Sequence, residues 1–545
     1  MMNDTSSDPF WYMNAVFYEV YVRAYADSNG DGHGDLLGLI SRLDYIRELG
    51  VDCIWLLPIY PSPLKDDGYD IADFYGILPE YGTLEDFQEL LREVHKREMR
   101  LITDLVLNHT SDQHAWFQEG RKDLKSPFRD YYVWSDTDKK YEDARIIFLD
   151  TEKSNWTWDE TAGKFYWHRF YSSQPDLNYD NQSVKQEMLD VIRFWLELGV
   201  DGFRVDAVPY LIEREGTNCE NLPETHQYLK TIRKIVESEF PGKPLLCEAN
   251  QWPEDVREYF GEGDEFHMGF HFPLMPRIFM SLKKEDRTPI IKILERTPEI
   301  PETCQWCTFL RNHDELTLEM VTDDEREWMW REYAPEDRMR LNLGIRRRLA
   351  PLLDGDQRKI ELAYSLLFSL PGSPVIYYGD EIGMGDDIWM PDRNGVRTPM
   401  QWDRRNNAGF SSANPQNLYS PVIQSDRYSY REVNASLQQK DPDSLLSKIK
   451  KMIDIRKDID AFGWGDLSWL DLGDDKAAAY IRTYKDCSIL IINNLSGEPL
   501  NLGIRKVHIQ SPVQDLLSDG NIGDKEVIKI PDFLNPYEYT WLRLI

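Results

Sequence analysis

Short apolar runs alternate with stretches of helical period along most of this chain. The runs fall at residues 16–21, 53–58, 101–107, 202–208, 245–248, 266–272, 308–311 and 375–378, and each reads as a buried strand. Between them, apolar residues recur every three or four positions over 36–49, 84–96, 184–198, 225–239 and 358–370. That period predicts amphipathic helices. Eight strand–helix units imply an α/β fold, a closed parallel (β/α)8 barrel.

Three segments break the rhythm. Residues 111–181, after the third strand, are too long for a loop and carry many aromatics and short β-like pieces. They read as an inserted subdomain. Insertions at about 321–355 and 383–435 follow the seventh and eighth strands. The first contains Trp328, Trp330 and a basic run, Arg346-Arg347-Arg348, which reads as a solvated or ion-paired helix face. From about residue 460 to 545, alternating apolar residues and turn signals predict a small antiparallel β domain, with strands near 479–483 and 488–494. The barrel then occupies 1–110 and 182–459.

A length of 545 residues suits a large barrel with additions, and 41% hydrophobic residues are ample for its core. The formal net charge of −32 argues against nucleic acid and anionic membrane as partners. Six cysteines are scattered, and Cys304-Gln-Trp-Cys307 lacks the second pair that a zinc site would need. No apolar stretch approaches the ~18 residues of a membrane span. The first residues carry no basic region followed by an apolar core. These features predict a soluble, cytoplasmic protein with reduced thiols.

Three acids close strand-like runs: Asp206 after Gly-Phe-Arg-Val, Glu248 after Pro-Leu-Leu-Cys, and Asp314 after Phe-Leu-Arg-Asn-His. Strand ends converge at one face of a barrel, so distant acids can share a pocket. Carboxylates flanking a sugar ring are the apparatus of glycoside chemistry. Arg204 shares a strand face with Asp206 and should favour its ionised form. Glu248, behind an apolar run and near other acids, should hold its proton longer, as a general acid must. His313 and His109 offer donors to sugar hydroxyls, and Tyr69 with Asp70 offers stacking and a hydroxyl clamp.

These residues give the chain a resemblance to the α-amylase superfamily of glycoside hydrolases and glucosyltransferases. It rests on 104–109, 202–206, Glu248, 312–314, Gln174-Pro175-Asp176-Leu177-Asn178 and Gly68-Tyr69-Asp70, and spans about 15–403. The resemblance implies Asp206 as nucleophile, Glu248 as acid/base and Asp314 as the residue that holds ring hydroxyls in the transition state. It places Arg204, His109, His313, Tyr69 and Asp70 around the first glucose. Within the superfamily, segments 202–218, 247–256, 312–320, 377–386 and 395–402 resemble the glucosyltransferases that interconvert maltose and trehalose. That likeness implies intramolecular transfer with minor hydrolysis, small disaccharides as substrates and no organic cofactor. Tyr210, Asn250, Glu315, Glu319 and Arg397 would lie near the second sugar. A retaining α-glucosidase, or a glucosyltransferase acting on other small glucosides such as sucrose, stays open as an alternative. A sugar-binding protein without activity would be expected to lack some of the three acids.

Two metal sites are expected. Asp27, Asn29, Asp31, His33 and Asp35 alternate with glycines and Ser28, like the start of an EF-hand whose twelfth place is Gly38 instead of Glu. Its mostly oxygen ligands favour calcium or magnesium. The resemblance implies a second site from Asn108, Asp176, Glu213 and the backbone carbonyls of Tyr210 and Leu211. It also implies a homo-oligomer.

Overall fold

Eight parallel strands close into a barrel in the computed structural model, which describes residues 8–425, 427–502, 513–518 and 527–544. They are β1 Phe17–Val20, β2 Cys53–Leu56, β3 Arg100–Val106, β4 Phe203–Asp206, β5 Leu245–Cys247, β6 Met268–Phe270, β7 Gln305–Phe309 and β8 Ser373–Tyr377. All eight expected runs are strands. Neighbours in sequence are neighbours in space, and β1 closes on β8 with Phe17 opposite Val375. The runs are continuously apolar because helices cover one face and side chains fill the other. Polar exceptions inside are few: Glu19, Asp104, Arg204 and Asp206 are all buried.

The helices follow local signals. Leu84–Lys96 starts at a capping box made by Thr83 and Asp86. Gln182–Leu198 stops at Gly199, whose φ of 111° only glycine adopts freely. Pro223–Glu239 and Gln357–Ser369 fill the other predicted stretches. The helix expected over 36–49 is instead two, Leu36–Ile40 and Leu43–Leu49. Arg42, between them, leaves helical geometry, and its guanidinium lies over Trp402.

Within 111–181, a three-stranded sheet orders Trp134–Ser135, Lys164–Trp167 and Trp156–Asp159. It packs Trp156 and Trp167 against Cys219. A bridge pairing His109 with Asp176 ties the segment to the chain just after β3, and one pairing Tyr132 with Leu177 closes the segment on itself.

The first insertion holds helix Asp323–Tyr333 and strands Arg340–Leu341 and Gly344–Ile345, which form a small sheet with Leu316–Thr317 just before it. The basic run does not lie on a helix. Arg346 donates to the carbonyls of Arg338, Met390 and Asp392, and Arg347 pairs with Asp386. Arg348 is fully buried against Asp380 and the Tyr378 carbonyl. The second insertion supplies three of these acceptors, Asp386, Met390 and Asp392.

The chain ends in a six-stranded antiparallel sheet. Its order is Asp466–Trp469, Ala477–Tyr484, Cys487–Asn494, Tyr539–Leu544, Val513–Asp515 and Val527–Ile528. Of two buried arginines at this junction, Arg482 of the sheet fastens it to the barrel and Arg456 ties barrel helices beneath it. Arg456 donates to the carbonyls of Phe368 and Gly372, and Arg482 to those of Ser369, Phe462 and Gly465. Among the described residues no helix is long and apolar enough to cross a membrane. All six cysteines are unpaired. The leader-like signals sought at residues 1–7 lie outside the described residues.

Candidate active site

Asp206 is the last residue of β4, and the chain turns away at once. Ala207 adopts left-handed geometry with φ 51° and ψ 35°, which costs a residue with a side chain about 1 kcal/mol or more. Glu248 directly follows β5, with its amide bonded to the Val205 carbonyl at 3.0 Å. One guanidinium serves both acids. Arg204 donates to Asp206 from Nη1 and to Glu248 from Nη2, each at 2.5 Å. Nη1 also pairs with the fully buried Asp104.

These contacts and burial set the protonation order. Burial pushes the Asp206 carboxyl up to about 6, against the pull of Arg204. The guanidinium thus favours the ionised form without overcoming burial. Burial, opposed by Arg204 and reinforced by Asp206 and Asp314, pushes Glu248 up to about 8. At neutral pH Asp206 is ionised and Glu248 holds its proton. Burial also acts against charge on Asp314, but His313, then Arg393 and Arg397, hold it well below the usual carboxylate range. Both arginines reach Asp314 Oδ1, at 2.9 and 2.8 Å.

The three acids line one cavity of about 130 Å³. Tyr69 and His109 share its wall. His109 Nε2 is buried without a partner in the chain, and burial keeps the ring neutral at about 3. His313 stacks parallel to Tyr69 with ring centres 5.4 Å apart, and its Nε2 lies 2.9 Å from the Tyr69 hydroxyl. Asn250, Glu315 and Glu319 line the outer part, with Tyr210 and Thr317. Asn250 donates to Thr317 at 3.0 Å, and Asn342 donates to Glu315 at 3.1 Å. Oxygens of Asn250 and Glu315 remain buried and unpaired, facing no protein donor.

Four expected residues stand outside the cavity lining: Arg204 and His313, which contact the acids from behind, and Asp70 and Arg397. Asp70 does not reach the cavity. It is fully buried beneath the loop, accepting from Ser62 and from the amides of Lys65 and Asp66. Arg397 does not line the cavity either. It stands behind Asp314, donating to that acid, to Asp67 and to the His313 carbonyl.

Asp66 and Arg393 line the cavity in their stead, paired at 3.1 Å, and sequence reasoning missed both. Ile147 and Phe148 of the inserted segment roof it, and Phe148 lies under the Arg393 guanidinium. Arg145, two residues earlier, straps the roof down, reaching Glu319 at 2.7 Å, Glu220 at 2.9 Å and the Tyr210 hydroxyl at 3.1 Å. The aromatic richness of 111–181 was the one hint of such a roof.

The two expected metal sites differ. In the 27–35 loop the acids are satisfied from within. Asp27 accepts from the amides of Asn29, Gly30 and Gly32 and from the Ser411 hydroxyl, and Asp35 from the amides of Ser28 and Gly38. Asn29 and Asp31 accept from the amides of Asp31 and His33. His33 meets Arg23 at 3.4 Å. Among the described residues no three His, Cys, Asp or Glu side chains gather as a metal group. The other set leaves Asn108 Oδ1, Asp176 Oδ2 and Glu213 Oε1 buried with no partner. Burial pushes Asp176 up to about 8, and burial with the Asp176 charge pushes Glu213 well up. Two unsatisfied acids beside an amide oxygen fit a hard cation.

The sequence matches the Alpha-amylase family, described as alpha amylase catalytic domain, over residues 19–342 and 345–465. The chain belongs to the alpha-amylase family. Within that family, it is 58% identical over 549 residues to a trehalose synthase/amylase of Mycobacterium tuberculosis, covering 99% of this chain and 91% of the relative. It is 54% identical over 556 residues to a trehalose synthase of Pimelobacter, covering 98% and 96%. Among solved structures, the trehalulose synthase of Pseudomonas mesoacidophila superposes with a TM-score of 0.79 at 26% identity, covering 98% of this chain and 99% of that one. That structural likeness covers both the barrel and the terminal sheet domain described above.

Proposed function

We propose that this chain interconverts maltose and trehalose by moving one glucosyl unit within the closed cavity. Identities of 54–58% to trehalose synthases over nearly the whole chain support the reaction. The observation that favours transfer over hydrolysis is the roof strapped by Arg145 to Glu319, which supports a reading in which the second sugar is retained there.

The ionised Asp206 attacks the anomeric carbon, and Glu248 gives its proton to the departing oxygen. A covalent glucosyl–enzyme forms and glucose is freed beside it. Held by the groups around Asn250, Glu315 and Glu319, that glucose turns and presents its own anomeric hydroxyl. Glu248, now a base, takes the proton as the new bond forms. Two inversions give net retention. Both carboxylates rest on one guanidinium, which suits the short spacing of a retaining pair. Water reaching the intermediate yields glucose as a minor product.

Asn108, Asp176 and Glu213, with the carbonyls of Tyr210 and Leu211, would hold a calcium ion joining the roof segment to the barrel. The unpaired oxygens support this reading. Six unpaired cysteines support a reducing, cytoplasmic setting. Incubation with maltose alone tests the main proposal. Trehalose as the chief product supports it, and glucose as the chief product overturns it. Labelled glucose added with unlabelled maltose should enter trehalose poorly.

A further inference from the structure

Glu19 is an acid in the interior of β1, with no exposed surface, and no step of the proposed reaction uses it. Its Oε1 lies 2.5 Å from His313 Nδ1 and accepts the His313 amide at 3.2 Å. Oε2 has no partner. On the other side of the ring, His313 Nε2 faces two oxygens, the Tyr69 hydroxyl at 2.9 Å and Asp314 Oδ2 at 3.2 Å. Trp55 packs edge-on against the same ring, so it cannot swing away.

A neutral imidazole carries one proton, on either nitrogen. If it sat on Nδ1, the lone pair of Nε2 would confront the Asp314 carboxylate at 3.2 Å. Arg393 and Arg397 keep that carboxylate ionised, so the contact would be repulsive. A proton on Nε2 removes the conflict. Nδ1 must then receive a hydrogen from its neighbour, and the neighbour is Glu19. We propose that Glu19 is a positioning residue whose carboxyl proton occupies Nδ1 of His313, so that Nε2–H is aimed at Asp314 and the sugar hydroxyls. One proton lies between Oε1 and Nδ1, whether nearer oxygen or nitrogen, and a second stays on Nε2. Burial raises Glu19 and lowers His313, which agrees with the proton resting on the oxygen.

Glutamine at position 19 could not do the same. Turning its amide nitrogen toward Nδ1 would set two donors, that nitrogen and the His313 amide, against each other, so its oxygen stays with the His313 amide and accepts a hydrogen from Nδ1. Nε2 would then lose its proton and its role as donor.

The inference rests on the glucosyl-transfer reading only for its kinetic arm. Protein labelled with ¹⁵N-histidine should show a His313 signal with a proton on Nε2 at neutral pH, assigned by its loss in His313→Gln. An Nε2 without a proton overturns the proposal, whatever the substrate. Glu19→Gln should move that proton to Nδ1 and lower kcat/KM for maltose at least tenfold, with an unchanged circular dichroism spectrum. In a His313→Gln background the same change should cost almost nothing further. Wild-type rates in Glu19→Gln, or losses that simply multiply, overturn it. If wild-type protein leaves maltose untouched while Nε2 keeps its proton, the transfer reading fails and the positioning role stands.

Discussion

Two carboxyl groups on one guanidinium cannot titrate independently. Asp206 and Glu248 lose their protons as a pair, in steps near 6 and 8. Activity requires Asp206 ionised and Glu248 protonated. The profile of kcat/KM should therefore rise with pH through about 6, as Asp206 deprotonates, and fall through about 8, as Glu248 does. A maximum outside that window would contradict the assignment. Asp206→Asn should lower turnover by several orders of magnitude in folded protein, since it removes the nucleophile. Glu248→Gln should spare an activated aryl glucoside, whose leaving group needs no proton, far more than maltose. The acids were legible in the sequence because each ends an apolar strand, where direction is fixed by the barrel. Asp66 and Asp70 were not separable, because both sit in one loop without a period. Only the fold shows that Asp66 faces the sugar and Asp70 holds the loop amides.

The strand elements were legible for a related reason: runs buried on both faces leave little choice of residue. The helix over 36–49 was read as one because its period continues through Arg42, where the backbone leaves helical geometry and the side chain turns onto Trp402. The insertions were legible as lengths, not as shapes. Arg145, Phe148 and Arg393 lie in them, and their partners come from other parts of the chain. Arg145→Ala should release the roof. Losing one hydrogen bond to a charged group removes ~1.5–3 kcal/mol, so the share of free glucose from maltose should rise about tenfold. An unchanged product ratio would deny the strap its role. For the cation site, chelation should lower the melting temperature and calcium should restore it. Saturation at a hundred times Kd is worth ~2.7 kcal/mol, and Asp176→Ala should make the protein indifferent to both treatments.

At the scale of the whole molecule, the terminal sheet is joined to the barrel by Arg482, which meets only carbonyls, and by Arg287, which adds ion pairs to Asp471 and Asp475. Arg482→Leu would take the donor from the carbonyls of Ser369 and Gly465 and the nearer of two donors from that of Phe462. A loss of about 3 kcal/mol is expected, seen as a lower urea midpoint with kcat on maltose little changed. The same frame leaves the roof as the part that must move for substrate to enter. Trehalose yield is then decided by a race between the tumbling of a trapped glucose and the lifting of the roof. Lifting parts the ion pairs of Arg145 and unpacks Phe148, whereas tumbling only exchanges one set of hydrogen bonds for another. The first has the steeper dependence on temperature. Warming should speed consumption of maltose and, in the same experiment, make the product less pure.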